Sequence, residues 1–510
     1  MAGKKKSIIK KLHKWPSLVI AVFILLWAGS GIILNHRHTF SSFDVNRQLL
    51  PAEHHYNNWN NAAVRASVRI DSNLVLFYGN VGIWKYETER GVFSEMINGL
   101  PSGADHHKIN CISYTSGKNL YAGTRFGLYT YDEPGEQWQQ LHIPHHDRHV
   151  VDMMEMRDSL WVMTRSHLWS IPLEGDLTFS HIEIPAPLGY DNKVGLFKTL
   201  WVIHSGEIYG LAGKLLVDFV AFIFIFLTLS GLVYFFFPRM IKKRKRTKKK
   251  ISRLASWTRW SVKWHNKIGI WLAIILIITT FTGMFLRPPL LIAIAGSRVP
   301  KVPYSMLDDG NPWHDQLRRI VYDSEKDLIY LASLEGIYTT DGSFSMPPRR
   351  ISPQPPVSVM GYNVFELLPH GNILVGSFTG LYLWAPESGA IYDYISGLPF
   401  DYRQAPSMPV SANMVAGFHR EKGGREYVFD YNRGVYALRH DGRFQEMPPM
   451  IKNTPMPLWN FALEVHTARL FKPFMGDLYI LFIPLFGLST LTILISGVIL
   501  WIRKYNRKRK

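Results

Sequence analysis

The chain has a single cysteine in 510 residues. Cys111 has no intrachain partner, which excludes a disulfide framework, a Cys-ligated iron–sulfur cluster and a CxxCH haem attachment. Phosphate loop, dinucleotide fingerprint and nucleophile elbow are all missing, so no segment binds flavin or nicotinamide recognisably. Acidic residues are absent from three stretches that are rich in Lys and Arg. Residues 1–16 hold six Lys, residues 238–267 hold thirteen Lys and Arg, and residues 503–510 hold six more. Those stretches contain 25 of the 58 basic residues, leaving 33 basic against 39 acidic elsewhere. The net charge of +19 is therefore local. No RNA- or DNA-binding motif accompanies it, which argues against a nucleic-acid partner. Apolar residues are plentiful: 47% hydrophobic and 14% aromatic excludes a disordered chain.

Each basic stretch abuts a long apolar run. The runs are Ser17–Leu34, Leu215–Phe237, Ile268–Leu286 and Leu478–Ile502. A span needs ~20 apolar residues to cross the hydrocarbon, and Lys and Arg collect on its cytoplasmic flank. The pattern predicts a membrane protein with four transmembrane helices, both termini and the 238–267 loop cytoplasmic and two large segments (about 36–203 and 288–465) outside. The basic loop would also touch anionic lipid heads. The first run could be a cleaved signal peptide, but it is longer than the usual apolar core of ~7–15 residues.

The chain reads as a duplication. Leu12–Gly31 (LHKWPSLVIAVFILLWAGSG) matches Trp264–Gly283 (WHNKIGIWLAIILIITTFTG), with 18 residues from His to the final Gly in both. The segments from His204 and His466 match less tightly, each ending in Ser-Gly and an aromatic before turning basic. Two halves running in the same direction place their pseudo-two-fold axis along the membrane normal. The expected order is a cytoplasmic N-terminus with helix one (1–35), a β segment (36–203), helix two (204–238) and a basic loop (239–264). Helix three (265–287), a second β segment (288–465), helix four (466–502) and a basic tail (503–510) follow.

The β segments carry a finer repeat: LFYGNVGIWKY (76–86), YAGTRFGLYTY (121–131), WVMTRSHLWSI (161–171), YLASLEGIYTT (330–340), LVGSFTGLYLW (374–384) and VFDYNRGVYAL (428–438). Each reads as strand, tight turn, strand, with Gly82, Gly127, His167, Gly336, Gly380 or Gly434 at the turn. The spacing is near the ~40–50 residues of a propeller blade. These units resemble two-component-regulator propeller repeats. Three blades alone leave open edges, so the expectation is one propeller of about six blades built from both halves, with two separate β domains as the alternative.

Four histidines are repeat-equivalent: His13 and His265 at one end of the helices, His204 and His466 at the other. The symmetry would place each pair at one depth, facing across the bundle. Two neutral imidazoles on opposite sides of a flat macrocycle are what bis-His haem ligation needs, and a four-helix bundle can enclose such a group. Alternatively, each is an amphipathic residue at headgroup level that duplication has copied. His36 and His38 are weaker ligand candidates, because helix three offers Arg287 and two prolines in their place. Gly29, Gly31, Gly231, Gly283 and Gly497 allow close approach, either of helices or of a macrocycle. Asp218, inside an apolar run, is either functional or a hydrated anchor near the outer boundary. The stretch LHIPHHDRH (141–149), with His54-His55 and His106-His107, is either a transition-metal cluster or a set of solvated loop residues.

KLHKW…SG, WHNKIGIWL…TG and HSGEIYGLAGKLL…SGL resemble the PepSY-associated transmembrane family of bacterial inner-membrane proteins. The likeness covers the four helices and their flanks. Members include iron-regulated, haem-containing reductases that pass electrons to ferric siderophores outside the membrane. The resemblance implies a b-type haem protein, with two haems whose iron is held by His13, His265, His204 and His466. Two departures stand out: His466 is followed by Thr-Ala rather than Thr-Gly, and blade-like repeats replace the PepSY domain.

The expected function is electron transfer across the membrane to a periplasmic acceptor, such as a ferric siderophore or other chelate. With no flavin or nicotinamide site, a separate donor is required, either a quinol or a cytoplasmic reductase. The rival is a non-enzymatic receptor, scaffold or sensor whose propeller binds a periplasmic ligand or protein, because fold does not fix function. A transporter is disfavoured, since few polar residues line the spans.

Overall fold

The structure is a computed structural model that describes residues 2–401 and 411–506; the end of the basic tail lies outside the described residues. The chain divides into a helical unit (1–40, 192–309, 458–510) and a β unit (41–191, 310–457).

In the helical unit, α1 spans Ala2–Asn35, α2 Leu196–Ser205, α3 Gly210–Arg246, α4 Ser252–Trp271, α5 Ala273–Met284, α6 Leu458–His466 and α7 Phe482–Asn506. Among the described residues, three stretches are long and apolar enough to cross a membrane: Ile8–Asn35, Glu207–Arg246 and Arg469–Tyr505. A fourth is formed if α4 and α5, which meet at 68°, count as one broken span. The sequence predicts an unbroken third helix. Instead Leu272, at φ −104° and ψ 7°, leaves the helical basin. No proline lies there, but Gly269 in the preceding turn weakens the helix locally. Helix α1 packs against α3, α6 and α7, while α3 packs against α4, and α5 against α2 and α7. Val220, Ile223 and Leu276 form the buried apolar seam, with Leu227, Ile268 and Leu494 against it.

Two further departures concern boundaries. His204 and His466 do not open the long spans but end the short helices α2 and α6. Residues 192–203, 288–309 and 458–465, expected in the β segments, belong to the helical unit, where Lys193–Gly195 pairs with Arg298–Pro300.

The β unit holds six antiparallel meanders. Five are four-stranded and the sixth, which ends at Leu438, is three-stranded among the described residues. Their first strands are Ala66–Arg69, Ile109–Tyr114, Val150–Met156, Leu317–Asp323, Val364–Leu367 and Val415–Arg420. Each first strand adjoins the next in this order, and the sixth adjoins the first. The six turns read from the sequence are the hairpins between second and third strands, as at Gly79–Gly82, Ser333–Gly336 and Ser377–Gly380. The five turn glycines all have positive φ, from +83° to +153°, which a side chain would disfavour.

An apolar layer lies between every two neighbouring sheets. Phe77 and Trp84 meet Phe429 between the first and sixth, and Ile320 and Leu331 meet Met156 and Met163 between the third and fourth. Polar residues gather among the first strands. Arg319 bonds Asp152 at 3.3 Å, and Arg65 bonds Asn110 at 3.2 Å. Burial and the Arg319 charge lower the Arg65 guanidinium to about 10. Cys111 is free and buried in the second sheet, where burial raises its thiol well above the usual range.

Candidate functional site: two facing histidine pairs

The helical unit brings His13 to His265, with ring centroids 6.2 Å apart and planes at 86°. It brings His204 to His466 at the same 6.2 Å, with planes at 57°. The two pairs are built alike. His13 Nδ1 bonds the Ile493 carbonyl at 2.9 Å and Ser496 Oγ at 3.3 Å. His466 Nδ1 bonds the Trp27 carbonyl at 3.2 Å and Ser30 Oγ at 3.0 Å. His204 Nδ1 bonds the Thr279 carbonyl at 2.9 Å and Thr282 Oγ1 at 3.4 Å. His265 Nδ1 bonds Ser230 Oγ at 2.8 Å.

The chemistry follows from the acceptors. A carbonyl oxygen only accepts, so Nδ1 of His13, His204 and His466 carries the proton. Each seat hydroxyl donates to the carbonyl three residues back: Ser30 to Trp27, Ser230 to Leu227, Thr282 to Thr279 and Ser496 to Ile493. Its oxygen lone pairs then face the imidazole. A ring fixed through Nδ1–H keeps Nε2 as a lone-pair donor, the arrangement usual for a metal-ligating histidine.

A glycine follows every seat hydroxyl. A Cβ built on Gly283 would lie 2.6 Å from His204 Cε1, and one on Gly497 3.1 Å from His13 Cε1. At Gly31 and Gly231 the nearest ring atoms, of His466 and His265, would be 3.4 and 3.7 Å away. The Ser/Thr-Gly steps, whose glycines were expected to allow close approach of helices or of a macrocycle, are thus the surfaces on which the four imidazoles sit. Their fourfold recurrence was the available signal; which histidine each one faces is a matter of helix pairing.

His36 and His38 lie elsewhere. His36 Nε2 bonds Asp218, which also accepts from Asn35 Nδ2 at 3.3 Å. Asp218 is therefore a partner of these two polar side chains at the end of α1. His38 is exposed. In the β unit, His145 stacks near His146 and His167, and His167 Nδ1 lies 3.2 Å from His181 Nε2. Among the described residues, no group of three or more His, Cys, Asp or Glu is arranged to hold a metal ion.

Helices long and apolar enough to cross a membrane, together with two histidine pairs of equal separation, define a membrane protein with paired imidazoles. The sequence matches the family described as PepSY-associated TM region over residues 10–504, and the chain belongs to that family. No curated protein matches it. Among solved structures, the extracellular domain of a one-component system from B. thetaiotaomicron shares 11% identity over 78% of this chain and 40% of its own, at a TM-score of 0.34. A streptogramin B lyase shares 8% identity over 74% of this chain and 95% of its own, at 0.36. The chain thus spans about 40% of the first of these structures. Likenesses at this level do not bear on function.

Proposed function

We propose that this is a bacterial inner-membrane b-type haem protein that carries electrons across the membrane to an acceptor outside. Four spans, with α4 and α5 forming one broken span, would leave both termini cytoplasmic and the β unit periplasmic. The basic stretches support that orientation. The cyclic order of the six first strands supports reading the β unit as one six-bladed propeller.

The observation that carries the haem reading is the common separation of the two pairs. Imidazole nitrogens bind first-row metals at ~2.0–2.1 Å and lie about 1.1 Å from the ring centre, so two rings on one iron have centroids roughly 6.3 Å apart. Both pairs stand at 6.2 Å. Every ring bonds through Nδ1, which suits axial ligation through Nε2. The residues therefore fit two haems, one held by His13 and His265 and one by His204 and His466. Haem iron would supply one-electron redox chemistry. The protein's part is to fix ring orientation, through the seat hydroxyls and carbonyls, and to keep the rings neutral within apolar helices. A ferric chelate is the proposed acceptor, and a quinol or cytoplasmic reductase the donor.

The test is a visible spectrum of the detergent-purified chain, expressed with ample haem, before and after dithionite. A reducible Soret band with sharp α and β bands is expected. A colourless preparation would sink the reading.

A further inference from the structure

A cleft of about 740 Å³ opens between α3, α4 and α7, lined by Pro238, Thr258, Arg259, Lys263, Asn266 and Lys504 among others. Its position follows from the helices that carry the histidine seats. Pro238 lies seven residues beyond Gly231 on α3, and Lys504 lies seven beyond Gly497 on α7. Seven residues are close to two turns, so both lie on the seat-bearing faces, roughly 10 Å further along. On α4, Asn266 adjoins His265, while Lys263 and Arg259 lie within two turns of it towards the helix start. All three helices point the cleft to the end with the basic stretches. Arg259, Lys263 and Lys504 have no carboxylate partner among the described residues.

The cleft thus offers three uncompensated cations and the second amide N–H of Asn266, the residue after His265, over an apolar wall of Ile241, Ala255 and Val262. This matches a ligand with an apolar body and a paired anionic edge. We infer that Arg259, Lys263 and Lys504 bind the two propionate carboxylates of the haem held by His13 and His265; this rests on the haem reading above. Charge-assisted bonds of this kind outweigh neutral ones and would fix the rotation of the macrocycle about the His–His axis. They also make the two sites unequal, since this cleft is built from the basic end alone.

The experiment uses the full chain in detergent, with Arg259→Gln, Lys263→Gln and Lys504→Gln made singly and together. The readouts are the rate of haem loss to excess apomyoglobin, the reduction potential of each haem, and the reduced spectrum. In the triple variant, one of the two haems should leave about tenfold faster or more, matching the loss of at least one charge-assisted bond. Its potential should fall, while the bis-His spectrum and the other haem stay unchanged. Arg259→Lys should restore part of the effect. A red wild type whose triple variant loses both haems at the original rates and potentials would overturn this assignment and leave the haem reading standing. Loss of co-purifying anionic phospholipid, with both haems unaffected, would overturn it in favour of a lipid headgroup. A colourless wild type would remove the haem reading, and this inference with it.

Discussion

His13 and His265 come from different halves of the duplication, yet their ring centroids stand 6.2 Å apart, as do those of His204 and His466. The planes differ, 86° in one pair and 57° in the other, so the shared quantity is the gap and not the whole geometry. A gap held constant while ring angles vary is what two ligands of one central atom require. Replacing any one of the four by Ala should then take haem content from about two per chain to about one, because an iron with one remaining axial ligand is weakly held. Pyridine haemochrome assay measures this. His36→Ala should leave the content unchanged, since His36 is occupied with Asp218. Wild-type haem content in all four variants would refute the ligand assignment.

The seat glycines should differ in tolerance. Alanine at Gly283 puts its Cβ 2.6 Å from the His204 ring, so ring or helix must shift, whereas at Gly231 the nearest ring atom is 3.7 Å away. Gly283→Ala should therefore weaken the His204–His466 site and broaden or shift its spectrum, and Gly231→Ala should leave the other site near wild type. A core overpacked by one methyl typically costs about 1–3 kcal/mol. Low-temperature difference spectra would resolve the two sites. Equal effects would mean that ring contact is not what these glycines provide.

Much of this site was legible because duplication repeats its own signal. The His-to-Gly interval of 18 residues in both Leu12–Gly31 and Trp264–Gly283 marks, in each segment, a histidine of one pair and the seat of a histidine of the other. The hairpin turns at Gly82, Gly336 and Gly380 were legible for a local reason, since positive φ selects glycine within the repeat itself. The break at Leu272 was not legible, because its residues read as good apolar helix and the bend of 68° depends on packing. Nor was the seating of His13 on Ser496-Gly497, which are 483 residues away and meet it only through the pairing of α1 with α7.

Ala468 occupies the position that Gly206 holds in the first half. Both residues are left-handed, at φ +59° and +77°, and both follow the histidine by two. The departure from Thr-Gly thus leaves the backbone conformation intact and places a Cβ where it is disfavoured, at a cost of roughly 1 kcal/mol. Ala468→Gly should raise the thermal stability of the chain by a similar amount, since relief of left-handed strain outweighs the added unfolded-state entropy. Ala468→Val should lower it and perturb His466. A melting curve in detergent followed by intrinsic fluorescence is sufficient, and a destabilised glycine variant would contradict the strain argument.

His419 should make the β unit sensitive to acid. It is 5% exposed on the first strand of the sixth sheet, bonds Ser67 Oγ through Nδ1 at 2.6 Å, and packs its ring 4.8 Å from Phe77. Burial, with a smaller contribution from the Arg69 charge, lowers its pKa from 6.5 to about 4. Between those values the unfolded chain binds a proton that the folded chain does not, so protonation favours unfolding. The stabilisation is fully present above pH ~6.5 and is lost as pH falls towards 4, to at most about 3 kcal/mol. His419→Gln keeps a partner for Ser67 but cannot titrate. The wild-type melting temperature should therefore fall more steeply than that of the variant between pH 7 and 4.5, and parallel curves would show that His419 does not govern the transition.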